Sequence, residues 1–179
     1  MSITRASRLG HVTHPSPQPS HSDLICHATA TGIVLHEGRV LLVEHRKSGL
    51  FLGPGGHIDN EDPVHAVLRE IREEVGIEAE IIAENRFAHP AVRVVPSPFT
   101  VLVVDIPHDT TIGPHQHVDM VYVCRPLTRH ITAHAGEIGG YRWVLLAAVA
   151  SLPTPPEYPA LVAAAAKYAD SHYTSGITG

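Results

Sequence analysis

The chain has 179 residues, 44% of them hydrophobic and 17% charged, with a formal net charge of −5 at pH 7. This balance is typical of one folded domain with its own core and excludes a wholly disordered chain. The negative charge argues against a general binder of polymeric nucleic acid, which would present a basic face to phosphates.

The amino-terminal segment lacks the features of a folded element. Residues 1–22 are rich in Pro, Ser and His and show no helical or alternating period, which predicts a flexible arm. They contain no apolar run typical of a secretory signal, and the most apolar stretch, 99–106, is too short to cross a bilayer. A cytoplasmic location follows as the default expectation. Cys26 and Cys124 lack a CxxC partner, and we expect two buried, reduced thiols.

The first elements are expected to be strands. Two β-branched, apolar runs surround Glu37-Gly38 and predict a hairpin before residue 46. The segment 48–59, SGLFLGPGGHID, has three glycines between positions 53 and 56 and predicts an irregular loop that can approach a ligand closely. Arg46 and Lys47 precede this loop and are suited to attracting an anionic substrate, although solubilising surface charge is an equally ordinary role.

A helix is predicted after the glycine-rich segment. Asp62 and Pro63 fit an N-cap followed by proline at the first helical position. Gly76 is typical of the left-handed residue that ends a helix. The predicted core-facing stripe consists of Val64, Leu68, Ile71 and Val75.

The remaining elements complete a single domain. Strands are predicted over 78–83, 97–106 and 118–124. Residues 156–173 carry apolar side chains at helical spacing, which predicts a closing helix and then a flexible tail, 174–179. The folded domain is therefore expected to span 23–173.

Three glutamates share one face of the predicted helix. Glu70, Glu73 and Glu74 stand at i, i+3 and i+4, so their carboxylates converge away from the apolar stripe. Their mutual repulsion would be offset by a hard divalent cation such as Mg²⁺, which prefers oxygen ligands. Taken alone, however, three such glutamates are more often a solvated acidic face.

The surrounding pattern decides between these two interpretations. It runs Gly55, five residues, Glu61, seven residues, and then REIREEVGI over 69–77. This pattern resembles the Nudix box throughout, and an accidental match would occur on the order of 10⁻⁹ times per start site, which excludes chance. The resemblance covers most of the chain and implies an α/β fold, an α/β/α sandwich with a mixed β-sheet.

The resemblance also implies an activity. It points to a hydrolase that cleaves the diphosphate linkage of a nucleoside triphosphate, ADP-ribose or a sugar nucleotide by metal-assisted attack of water on phosphorus. Glu70, Glu73 and Glu74 would be catalytic or metal-binding, with the carbonyl of Gly55 as a further ligand. The expected ion is Mg²⁺, with Mn²⁺ as a substitute. Glu73 or Glu74 is the first candidate for the general base.

Other residues of the box pattern have supporting roles by the same resemblance. Arg69 and Glu61 are expected to orient the catalytic carboxylates through charge-assisted contacts. Glu137 lies six residues before Trp143, a spacing similar to that of the distal metal-site glutamate in MutT-like Nudix enzymes. An exposed loop acid is the alternative for Glu137.

A polar strand face could select the substrate. His115, His117 and Asp119 alternate onto one side of the predicted strand. They could contact a base, ribose or phosphate, the His-x-His pair could bind a transition metal, or the histidines could be satisfied locally. His57, beside the metal loop, either touches a phosphate or is an ordinary loop residue.

One further functional class competes with the hydrolase. A non-hydrolytic nucleotide sensor with the same fold is the alternative, and the intact set of glutamates counts against it. The expected partner is a small nucleotide-like diphosphate, with no polymeric nucleic acid and no membrane. Many Nudix domains form homodimers, but no residue here demands one.

Overall fold

The computed structural model describes residues 25–128 and 138–174, with side chains through His172. The predicted arm and Glu137 lie outside these ranges, and Thr174 is the last residue of a helix rather than the first of the predicted tail. A short 3₁₀ helix, Leu146–Ser151, precedes the second α-helix. The strands and α-helices are β1 Ile25–His36, β2 Arg39–His45, β3 Phe51–Leu52, β4 Gly55–His57, α1 Pro63–Val75, β5 Ala79–Ile81, β6 Thr100–Ile106, β7 His115–Pro126, β8 Ile138–Leu145 and α2 Tyr158–Thr174.

The described strands form one mixed sheet centred on β1 and β7. The order is β3-β2-β1-β7-β5, with β4 beside β1, β6 beside β7 and β8 beside β2. β1 and β7 run parallel from Ile25↔His115 to Val34↔Cys124, and the other pairs are antiparallel. A parallel pair among antiparallel ones is the mixed sheet that the sequence predicts.

The two α-helices in the described ranges cover opposite faces of this sheet. Alternate residues of β1 belong to two separate hydrophobic clusters: Ile33 lies in the first and Val34 in the second. α2 packs on the Ile33 side through Val162, whereas α1 packs on the Val34 side through Val67. The period-two alternation of a strand therefore produces the two faces. The predicted α/β/α sandwich is confirmed.

The first turn of the chain follows the sequence prediction. Glu37 and Gly38 both have positive φ, 47° and 70°, and join β1 to β2. Positive φ at both central residues is the two-residue hairpin turn whose twist matches that of the strands. The hairpin is confirmed.

The glycine-rich segment is only in part the irregular loop that the sequence predicts, because residues 51–52 and 55–57 within it are strands. β3 pairs with β2, and β4 pairs with β1. A Cβ on Gly53 would lie 2.4 Å from the carbonyl oxygen of Gly32, and one on Gly55 would lie 2.6 Å from that of Ala30. The backbone at these two positions is therefore too close to β1 to leave room for a side chain. The glycines permit a close approach, but to a strand of the same chain.

The predicted ends of α1 are confirmed. The Asp62 carboxylate accepts hydrogen bonds from the backbone N–H groups of Val64 and His65, at 3.0 and 3.1 Å. Pro63 is the first residue of the helix, and Gly76 ends it with a φ of 67°. These are the capping interactions that satisfy the free N–H groups and carbonyls at helix termini.

The buried face of α1 differs in part from the predicted stripe. Val64 and Leu68 are only half-buried. The helix crosses β1 at Gly32, where an added Cβ would lie 2.8 Å from Ile71 and 3.3 Å from Val67. This close approach draws the Val67 side of the helix into the core. The fully buried residues of α1 are Ala66, Val67, Ile71 and Val75.

The two cysteines have different environments. Cys124 is buried, which raises the pKa of its thiol to about 12. Cys26 is exposed near the start of β1, and its Sγ lies 3.6 Å from Oε1 of Gln116. The expectation of two buried thiols is therefore wrong for Cys26. Among the described residues, neither α-helix combines the length and apolar character that a membrane span requires.

Candidate active site

The carboxylates of the box pattern meet at one guanidinium. Nη1 of Arg69 donates to Oε1 of Glu70 at 2.7 Å and to Oε2 of Glu73 at 2.8 Å. Nε and Nη2 of Arg69 donate to Oε1 of Glu61 at 2.9 and 2.8 Å. The pKa of Arg69 is raised above its ordinary value, most strongly by the hydrogen bond to Glu61 and then by those to Glu73 and Glu70. One permanently charged group thus holds three carboxylates together.

Strand β4 lies directly against these acidic residues. The N–H of Gly55 donates to Oε2 of Glu74 at 3.1 Å. A Cβ on Gly56 would lie 2.4 Å from Oε1 of Glu70. Nη2 of Arg69 also donates to the carbonyl of the next residue of the strand, His57, at 3.1 Å. Each residue of the three-residue strand therefore adjoins the acidic group.

We call Glu61, Arg69, Glu70, Glu73 and Glu74 the carboxylate site. When its acids are ionised, four carboxylates and one guanidinium leave three negative charges. The Glu70 side chain is only 13% exposed, while that of Glu73 is 48% exposed. The site thus extends from half-buried positions to solvent. Oxygen donors with excess negative charge fit a hard divalent cation, which prefers carboxylate and carbonyl ligands.

A second polar group is built from histidines on β1, β4 and β7. Nε2 of His57 lies 3.3 Å from Nδ1 of His27. Nε2 of His115 lies 3.1 Å from Nε2 of His117. The rings of His57 and His117 are in edge contact, with centroids 5.2 Å apart. We call these four residues the histidine cluster.

The strand register explains why the histidines meet. His27 is paired with His117 across the parallel β1 and β7 strands. His57 is paired with Thr29 across the antiparallel β1 and β4 strands, two residues from His27. The pKa of His117 is lowered to about 4, mainly because the ring is partly buried and secondly because of the positive charges that the neighbouring histidines would carry. His117 is therefore a neutral imidazole at neutral pH.

Asp119 extends the same polar face. Its Oδ1 accepts hydrogen bonds from the hydroxyls of Thr29 and Thr31, both at 3.0 Å. Burial raises the pKa of Asp119, and the two hydroxyl contacts oppose that shift. The carboxyl group is thus satisfied by the neighbouring strand. Its predicted contact with a substrate stays a prediction.

Comparison with known proteins identifies the family. A NUDIX domain model matches residues 27–165. This chain belongs to the Nudix family. No protein of curated function matches it in sequence. The prediction of a Nudix pyrophosphohydrolase is confirmed at the level of the family, whose hydrolases generally use divalent metal ions.

Solved structures share the Nudix fold of this chain. A NUDIX-family hydrolase from Clostridium perfringens has a TM-score of 0.67 and 22% identity, covering 78% of this chain and 95% of that one. An Ap4A hydrolase from C. elegans has a TM-score of 0.58 and 15% identity, covering 81% and 98%. A UDP-X diphosphatase has a TM-score of 0.55 and 17% identity, covering 88% and 68%. At these identities the comparisons support the fold alone.

Arg46 and Lys47, the side chains predicted to attract an anionic substrate, both contact other groups of this Nudix domain. Nε of Arg46, in the turn after β2, donates to the carbonyl of Ile138, the first residue of β8, at 2.9 Å. Nζ of Lys47 lies 3.7 Å from Oδ2 of Asp109. Binding of substrate by Arg46 and Lys47 stays a prediction. Glu137 lies outside the described residues, so its metal-binding role also stays a prediction.

His27 is the site residue that the sequence prediction misses. It begins the alternating run HATAT, which places it on the same strand face as Thr29. The sequence shows this alternation, but it does not show which strand pairs with β1. Only the pairing of β1 with β7 brings His27 to His117.

Proposed function

We propose that this chain is a Mg²⁺-dependent pyrophosphohydrolase that cleaves the diphosphate linkage of a nucleoside diphosphate derivative. The observation that carries the proposal is the carboxylate site, in which Arg69 gathers Glu61, Glu70 and Glu73 beside β4. A purely solvated acidic face would not need an arginine with contacts to three carboxylates and a strand carbonyl. The arrangement fits acids positioned for a cation and a phosphate.

The residues divide into ligands and positioning groups. Glu70, Glu73 and Glu74 are the proposed metal ligands, together with the carbonyl of Gly55. Mg²⁺ bound there would neutralise charge on the diphosphate oxygens and on the leaving group. Mn²⁺ would serve as a substitute with the same oxygen donors.

The proton of the attacking water needs a base. Glu73 and Glu74 are the box candidates, and they differ in environment. Glu73 is half-exposed and bonded to Arg69, whereas Glu74 accepts the N–H of Gly55. Arg69 and Glu61 act as positioning residues, since their contacts fix the orientation of the acids.

The proposed substrate class is supported by the family and by structures that share its fold. Structures named as an Ap4A hydrolase and a UDP-X diphosphatase share the fold, which supports a nucleotide-linked diphosphate: a nucleoside triphosphate, ADP-ribose or a sugar nucleotide. Arg46, Lys47 and Asp119 are the proposed substrate contacts. The predicted substrate contacts at His57, His115 and His117 compete with another role, given in the next subsection.

A panel of nucleotides incubated with Mg²⁺ tests the proposal. Product analysis should show a monophosphate together with pyrophosphate or a second phosphate ester. Glu73→Gln and Glu74→Gln should reduce turnover by orders of magnitude, because each removes a charged oxygen donor. Glu78→Gln is the matched control, because Glu78 is exposed and lies just beyond α1.

The same experiment distinguishes the sensor alternative. Tight, Mg²⁺-dependent binding of a nucleotide without product over long incubation would replace the hydrolase with a nucleotide sensor. Unchanged turnover in both glutamine variants would remove the carboxylate site from the mechanism.

A further inference from the structure

We propose that His27, His57 and His117 form a binding site for a transition metal ion of the Zn²⁺ type, separate from the carboxylate site. Each residue offers a ring nitrogen, and the three nitrogens lie within 4.8 Å of one another. The site would give this Nudix domain two cation sites of different chemistry. The inference concerns metal binding and does not depend on the proposed hydrolysis.

The distances suit a small ion. Zn²⁺ binds imidazole nitrogens at about 2.0–2.1 Å in tetrahedral geometry, which places neighbouring ligand atoms about 3.3 Å apart. Nδ1 of His27 and Nε2 of His57 are already 3.3 Å apart. The ring nitrogen of His117 lies within 4.8 Å of the other two nitrogens. A side-chain adjustment of His117 or its partners is therefore enough to bring the three nitrogens to tetrahedral spacing. His57 is exposed, and its ring can move without disturbing the core.

The strands fix the origins of the three ligands. His27 and His117 are register partners on the central parallel pair, and His57 lies on the short strand at the other side of β1. Three ligands on adjacent paired strands lose little freedom when an ion binds. A site on rigid elements is better preorganised than one built on loops.

His115 is the positioning residue of this site. Its Nδ1 lies 2.9 Å from the carbonyl oxygen of Gly113, which can only accept, so Nδ1 carries the proton. Nε2, on the other side of the His115 ring, then faces Nε2 of His117 at 3.1 Å. His115 is buried, with 3% exposure. A buried second imidazole that orients a ligating one is the outer-shell arrangement common around metals.

The ligand set selects the class of ion. Neutral imidazole nitrogens suit Zn²⁺, Cu²⁺ and Ni²⁺, whereas Mg²⁺ requires oxygen donors. Three protein ligands also leave a fourth tetrahedral position for water or an anionic oxygen. The carboxylate site and the histidine cluster would therefore discriminate between cations rather than compete for the same one.

The two sites share strand β4. Gly55 contacts Glu74, while His57 supplies both a ring nitrogen to the cluster and its carbonyl to Arg69. An ion on His57 would hold β4 in place beside the carboxylates. This proximity also requires that the experiment keep the carboxylate site filled.

Zinc binding to the full chain tests the proposal. Protein freed of metal by a chelator is titrated calorimetrically with Zn²⁺ in excess Mg²⁺. One zinc site is expected whose affinity depends on the cluster, and Co²⁺ should give the visible absorption of a tetrahedral site. His27→Ala and His57→Ala should weaken Zn²⁺ by at least about 100-fold, because losing a ligand exceeds the roughly 10–100-fold effect of an outer-shell residue. His115→Ala should fall within that smaller range.

Controls keep the result interpretable. His45→Ala removes an exposed histidine of β2 whose ring contacts Ser48, and its zinc affinity should equal that of the wild type. Thermal unfolding of each metal-free variant checks the fold, and His57→Gln provides a second variant of similar side-chain size. Absence of zinc binding in the wild type, or a zinc affinity in His27→Ala and His57→Ala equal to that of the wild type, would overturn the proposal. Cluster-dependent binding of inorganic phosphate without zinc binding would also overturn it and make the cluster an anion site.

Discussion

A single methyl group added to β4 should lower metal affinity or kcat strongly while it lowers the stability of the fold only slightly. In Gly56→Ala, the new Cβ would lie 2.4 Å from Oε1 and 2.6 Å from Cδ of Glu70. Real Cβ contacts essentially never fall below 3.0 Å, so the carboxylate must move by more than half an ångström. Functional groups generally have to be held within about 0.5 Å of their working positions. We therefore expect Glu70 to leave its contact with Arg69.

The cost in stability should be small because the obstructing atom is at the end of a flexible side chain. The main loss is one ion pair, worth about 1 kcal/mol or less in the free energy of unfolding. That corresponds to a Tm decrease of roughly 2–4 °C for a domain of this size. Metal affinity or kcat should nevertheless fall by about 10–100-fold, as when a supporting contact is removed from a metal site.

Gly55→Ala is the matched comparison. Its Cβ would lie 2.6 Å from the carbonyl oxygen of Ala30 and 2.9 Å from Cα of Thr31, which are backbone atoms that cannot rotate away. The strand pair must shift, at a cost of about 1–3 kcal/mol or more. Urea unfolding and Mg²⁺-dependent turnover of both variants provide the assay. Full activity in Gly56→Ala, or equal destabilisation of the two variants, would refute the assignment of Glu70 to a packed position against β4.

Three other perturbations test separate features. Arg69→Lys should lower kcat by about 10–100-fold with little change in Tm, because an ammonium cannot reproduce the guanidinium contacts to three acids. Steady-state kinetics measure this effect, and a kcat equal to that of the wild type would contradict it. Asp62→Ala should cost about 1 kcal/mol in unfolding free energy at pH 7 through loss of the N-cap. Although burial opposes it, hydrogen bonds from Arg93 and His65 lower the pKa of Asp62. Its stabilisation is therefore complete above the unfolded pKa of about 4 and is lost as the pH falls below it, so the two stability curves should converge in acid; a constant difference down to pH 2 would contradict the shift. Gly38→Ala should cost about 1 kcal/mol in urea unfolding because its φ is 70°, and an unchanged midpoint would contradict the turn assignment.

Local features could be predicted from the sequence because their causes are local. Asp62, Pro63 and Gly76 lie within one helix and its ends, and the helix forms where they indicate. The turn at Glu37-Gly38 is determined by two adjacent residues. The spacing of Glu70 and Glu73 on that helix likewise predicts that they share one face, and both accept hydrogen bonds from Arg69.

Features that depend on distant pairing could not be predicted. β4 consists of two glycines and a histidine, which have little strand propensity, and it is a strand because β1 accepts it as a partner. The Val67 side of α1 is buried because Gly32 of another element allows a close approach. His27 joins the cluster through a register that no window of the sequence contains. In each case the deciding neighbour is far away along the chain.

The parallel pairing of β1 with β7 also has a consequence for biosynthesis. Its partner residues, such as Thr29 and Asp119, are 90 positions apart. At a ribosomal rate of about 5–20 residues per second, the amino-terminal hairpin would wait roughly 5–20 seconds for β7 to be synthesised. During that interval the β7-facing edge of β1 has no partner and is open to pairing with other chains. Nascent chains stalled before residue 115 should therefore aggregate more readily than those stalled after residue 126.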